Sequence, residues 1–132
     1  MYNYKFIWSF NEEEFEECKK TVDGDYLGNI RVGDMCFDIM QREDDDACLW
    51  IDCYVGGVDT GYGYSKDYPY DYVSGVGMAL SRDEYMAYTY EQFVKAVERE
   101  LTRSINEHPT YTADNGETVN LIDKASGVLH IW

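Results

Sequence analysis

Basic residues are scarce in this chain: 11 Lys plus Arg stand against 26 Asp plus Glu in 132 residues, a formal net charge of −15. That shortage excludes a direct grip on a phosphate backbone, which needs a basic footprint. It equally excludes docking on an anionic membrane surface. No apolar run approaches the length of a membrane span. After Met1 comes Tyr-Asn-Tyr-Lys, with neither a basic n-region nor an apolar h-region, so a reducing cytoplasm is the expected compartment.

Ligand and catalytic signatures are as thin as the positive charge. Two histidines, His108 and His130, and no Cys-x-x-Cys pair offer too little for a zinc site. His130 falls in an alternating apolar stretch and reads as a sheet-face histidine. Asp23 to Asp34 begins like an EF-hand loop, with Gly28 at its sixth position. Leu27, however, occupies a ligand position, Asp34 replaces the closing glutamate, and a strand pattern follows where a helix belongs. There is no Gly-x-Ser-x-Gly elbow, and Gly61-Tyr62-Gly63 lacks both the later glycine and the Lys-Ser/Thr pair of a phosphate loop. Among so many acids some carboxylates lie close by chance, so proximity alone carries no glycosidase reading. The expectation is a protein that is not an enzyme, with no catalytic residue, metal or cofactor.

Cysteine is present but not dense. Cys18, Cys36, Cys48 and Cys53 make an even count, yet a chain of this length needs no staples. Cys48 and Cys53, five apart in one strand pattern, face opposite sides. All four are expected to be small buried hydrophobes.

Hydrophobic residues make up 45% of the chain and aromatics 16%, enough to fill the core of one domain over 1–132. Residues 2–9 alternate strictly, with Tyr2, Tyr4, Phe6 and Trp8 on one face, as in a strand. Asn11 with Glu14 forms a capping box, Phe10 and Phe15 are placed as a hydrophobic staple, and the glutamates from Glu12 to Glu17 precede Lys19 and Lys20. This is a short helix whose charges suit its dipole. Its acidic cluster therefore has a structural explanation.

Tyr26 to Gln41 reads as two strands joined through Gly33-Asp34. Ala47 to Val55 reads as a strand apolar on both faces, Leu49, Ile51, Cys53 and Val55 against Cys48, Trp50 and Tyr54, with Asp52 alone interrupting the second face. Gly61 to Tyr72 is expected to be a long loop with an extended, edge-like portion, since Gly61, Gly63 and Pro69 suit no central strand. Val73 to Leu80 follows as a short strand, and Ser81 with Glu84 caps a brief turn. Thr89 with Gln92 opens the strongest helix, whose stripe is Tyr90, Phe93, Val94, Val97, Leu101 and Ile105 and which His108-Pro109 stops. The end reads as a hairpin, ETVNLI and VLHIW around a turn from Asp123 to Gly127. The expected class is α+β, a mainly antiparallel sheet of about five to seven strands with one long helix packed on a face and one short N-terminal helix.

Function rests on charge and aromatic placement. Tyr62, Tyr64, Tyr68, Tyr70 and Tyr72 all fall on even numbers, so an extended backbone stacks them on one face. Tyrosine supplies large contact area at low entropy cost. Set beside Asp44, Asp45, Asp46, Asp59, Asp67 and Asp71, these rings make a candidate partner-binding surface; rings that merely line a loop are the plainer alternative. Asp44 to Asp46 can also be read as a cation site, for which a solvated turn is the simpler account.

The expected partner is a basic protein, a nucleic-acid-binding enzyme whose groove the carboxylates fill in place of phosphates. Inhibitors of CRISPR and restriction enzymes work in this way as a class. An immunity protein neutralising a toxin, a nucleotide or sugar binder using Arg31, Arg42 and Arg82, and acidity that serves only solubility are the alternatives. No direct nucleic-acid contact and no membrane are expected, and the oligomeric state is left open.

Overall fold

A computed structural model describes residues 4–20, 25–33, 35–41, 47–56, 70–112 and 116–126. The chain enters as β1 (Phe6–Trp8), turns into α1 (Glu12–Cys18), and then builds β2 (Asp25–Val32), β3 (Met35–Gln41), β4 (Leu49–Gly56) and β5 (Tyr70–Leu80). Two helices follow, α2 (Arg82–Ala87) and α3 (Tyr90–Glu107), then β6 (Thr110–Thr112), β7 (Thr118–Asn120) and α4 (Leu121–Ala125). The five long-range strands form one antiparallel sheet in sequence order, β1-β2-β3-β4-β5, and β6 pairs with β7 separately. The class is α+β, as the sequence pattern implies.

Strand alternation decides the two faces. Ile30, Val32, Met35, Phe37, Ile39, Leu49, Ile51, Cys53, Val55 and Val73 are buried on one side, where Phe93, Val97, Leu101 and Ile105 of α3 complete a single core with them. Each such side chain contributes about 1.5–3 kcal/mol of burial before entropy is counted. Val32 faces Met35 across the β2–β3 turn, in which Gly33 sits at φ 59°.

Beta1 is shorter than the alternation from residue 2 implies, yet its inward side chains behave as that alternation requires. Tyr4, Phe6 and Trp8 are half-buried while Lys5 and Ile7 are exposed. Three hydrogen bonds tie this segment to α3: the Tyr4 hydroxyl donates to Asn106 Oδ1 at 2.7 Å, Trp8 Nε1 to Glu98 Oε2 at 2.8 Å, and the Tyr90 hydroxyl to the Phe10 carbonyl at 2.6 Å. Between them lies an aromatic layer in which Phe93 meets the rings of Phe15 at 4.8 Å, Trp8 at 5.8 Å and Tyr85 at 6.2 Å between centroids.

All three capping boxes form as read, at Asn11/Glu14, Ser81/Glu84 and Thr89/Gln92. Helix α1 buries only Phe15. Lys19 does more than balance the α1 dipole: its ammonium donates to the Met86 carbonyl at 3.4 Å and to the Tyr88 carbonyl, closing the C-terminal end of α2. It also pairs with Glu16 and lies over the Phe15 ring.

Two expectations need correction. Beta5 is not a short strand from Val73 but the longest in the sheet, at 11 residues from Tyr70. ETVNLI is not one continuous hairpin strand: Thr118–Asn120 pairs back with Thr110–Thr112, and VLHIW falls outside the described residues. Leu121–Ala125 is then helical, with the Asn120 side chain accepting from the Asp123 amide at 3.0 Å and Leu121 and Ala125 buried. The cap and two apolar residues four apart favour a helical turn over a strand. Residues 127–132 lie outside the described residues.

Candidate functional site

The sequence-derived site falls largely outside the described residues: Asp44, Asp45, Asp46, Asp59, Tyr62, Tyr64, Asp67 and Tyr68 all do. Tyr70, Asp71 and Tyr72 lie on β5, where their backbones face Gly56, Val55 and Tyr54 of β4. They therefore belong to the sheet's last strand.

What the register adds is a row on the outer face of the sheet. Asn29, Asp38, Asp52 and Gly77 stand directly beside one another across β2, β3, β4 and β5. Asp38 and Asp52 thus form a like-charged cross-strand pair, an arrangement that costs stability. Neighbouring rows place Met40 beside Trp50, and Arg31 beside Cys36 and Tyr54. Asp38, Met40, Trp50, Asp52 and Tyr54 are all half-buried. Burial pushes the Asp38 carboxyl above the ordinary range; a hydrogen bond from the Cys36 thiol at 3.7 Å pulls it down, and the Asp52 carboxylate pushes it up again.

Each acid is visible in the sequence as the polar member of its strand. Only the register, which no single strand carries, shows that they oppose each other.

Two of the cysteines, Cys36 and Cys53, are held as thiols by their surroundings. They form no disulfide. Burial, followed by the Asp38 carboxylate, pushes the Cys36 thiol up to about 12, and burial raises Cys53 on the inner face as well. A thiol so raised stays protonated at neutral pH. Cys36, Cys48 and Cys53 are buried as expected, whereas Cys18, at the end of α1, is only partly so.

Between β4 and β5 the outer face opens into a cavity of about 220 Å³, lined by Trp50 to Asp52 and by Gly75 to Ala79. It arises from a bulge: Asp52 faces Gly77 while the next residue, Cys53, faces Val73, so Ser74, Gly75 and Val76 have no partner on β4. Gly77 is required there. It sits at φ +141°, and a Cβ would come within 2.1 Å of the Ile51 carbonyl oxygen. Its amide donates to Ser104 Oγ of α3 at 3.2 Å.

The solvent side of α3 is a closed electrostatic unit. Lys95 pairs with Glu91 at 3.1 Å, and Arg103 pairs with Glu100 at 2.7 Å and Glu107 at 2.9 Å. These cations are matched on their own helix and leave the protein's acid surplus unbalanced. Among the described residues no three His, Cys, Asp or Glu side chains converge as a metal site, and no helix is long and apolar enough to cross a membrane. No family model matches the chain, and comparison with curated proteins and with solved structures returns no match.

Proposed function

We propose that this protein is a small acidic binding protein that occupies the basic groove of a nucleic-acid-handling partner, its carboxylates standing where phosphates would. The observation that carries this reading is the net charge of −15, with Lys95, Arg99 and Arg103 of α3 each paired to a glutamate on the same helix. A field of that sign speeds encounter with a cationic surface and repels anionic ones. The tyrosines of Gly61–Tyr72 and the acids Asp44 to Asp46 remain the side chains proposed to make the contact.

The test is a partner recovered from the native host's lysate at low salt. Its complex is expected to weaken steeply as salt rises and to be displaced by DNA or RNA. Binding indifferent to salt, or a ternary complex that also holds nucleic acid, overturns the reading.

A further inference from the structure

The two edges of the main sheet are unlike. Beta1 has three residues, and the segment around it is tied to α3 by side-chain hydrogen bonds. Beta5 has 11 residues, and among the described residues no strand pairs with its outer edge. Proteins blunt such edges with short strands, lysine, proline or bulges. Beta5 carries no lysine and no proline, and its single charge is Asp71. Its bulge at Ser74 to Val76 leaves two regular arms, Tyr70–Val73 and Gly77–Leu80. The Gly77 amide is already taken by Ser104, so the first arm keeps the more complete main-chain edge.

We infer that the outer edge of β5 takes up an extended, basic segment of the partner as an added strand. This rests on the acidic-partner reading above and names the element through which the partner is held. Main-chain hydrogen bonds along Tyr70–Val73 supply the attachment, and a pocket beside the edge supplies side-chain choice. The cavity between β4 and β5 lies on that side of the sheet and has Asp52 and Trp50 in its wall, a lining suited to one long cationic side chain. Charge selects the occupant. A second copy of this chain brings another −15 to the same edge, whereas a lysine- or arginine-rich strand is attracted to it.

The experiment uses the whole protein and two probes: a short peptide of alternating lysine and valine, and the same peptide N-methylated at every second residue. Charge and side chains are shared, and only the methylated probe lacks the amide donors of one edge. Affinity is measured at low salt, and amide exchange along β5 is followed by NMR. The expected result is slowed exchange at Tyr70–Val73 with the first peptide and binding about tenfold or more weaker with the second.

Equal binding of both peptides, or protection away from β5, overturns the edge inference and leaves the acidic-partner reading standing. Binding of neither peptide removes the basic-partner reading and the inference together. Protection of β5 without peptide, in a concentration-dependent dimer, assigns the edge to a second copy and overturns the proposed occupant.

Discussion

On the inner face of the sheet, Trp8, Ile30, Phe37, Cys53 and Val73 lie side by side across the five strands. Three of them, Ile30, Phe37 and Cys53, have no exposed surface at all. One residue along, the same strands place Asn29, Asp38, Asp52 and Gly77 in a row on the outer face. The inner row is optimised for packing against α3. The outer row accepts a like-charged pair and a glycine-dependent bulge, both of which cost stability. Apolar packing and a polar surface are thus divided between two sides of one backbone, which a strand's alternation allows.

The largest expected effect lies on the inner side. Phe93→Ala removes the ring on which Trp8, Phe15, Tyr85 and Tyr88 converge, and is expected to cost about 3–5 kcal/mol in urea unfolding. A loss below about 1 kcal/mol shows that the aromatic layer does not anchor α3.

Gly77→Ala probes the bulge, combining a positive φ with a backbone clash. A loss of about 1–3 kcal/mol and altered amide exchange around Asp52 are expected. A neutral outcome means that the bulge relaxes and the two faces are less rigidly coupled than the register implies.

Asp38→Asn should run the other way. Because the folded carboxyl holds its proton more tightly than an unfolded one, its contribution is fully present below about pH 4, the unfolded value, and is lost as pH rises through the raised folded value. At neutral pH the charge therefore opposes folding. Replacing it is expected to raise stability, by less than about 1 kcal/mol because the group is half-exposed and screened, and to flatten that part of the pH profile. A destabilised variant indicates that the carboxylate is held by more than it is repelled.

The smallest effect is expected for Lys95→Ala, which breaks only an exposed pair with Glu91. A change within about 0.5 kcal/mol that shrinks further in high salt is the anticipated result.

Local signals were legible wherever their physics is local. The Asn11, Ser81 and Thr89 caps need only a side chain and the third residue beyond it. The α3 stripe repeats over enough turns to identify its buried side. The β2–β3 hairpin is announced by Gly33 between two alternating runs. Reading failed where a segment's choice depended on distant partners. Beta5 begins at Tyr70 because Gly56 to Cys53 pair with it, and the strand that opens at Thr118 finds its partner in Thr110–Thr112. The edge-like portion expected within Gly61 to Tyr72 is, at Tyr70 to Tyr72, the start of the sheet's last strand, and the sheet order supplies that position.

The sequence by itself determined the α+β class, the starts of α1, α2 and α3, the buried stripe of α3 and the acidic field, since period, caps and net charge are properties of the chain before it folds. Only the tertiary structure decided which strands lie at the edges, that Asp38 opposes Asp52, and that Lys19 closes the end of α2. Each of these depends on register or on contact between residues far apart in the chain, and long-range pairing is settled when the whole core closes.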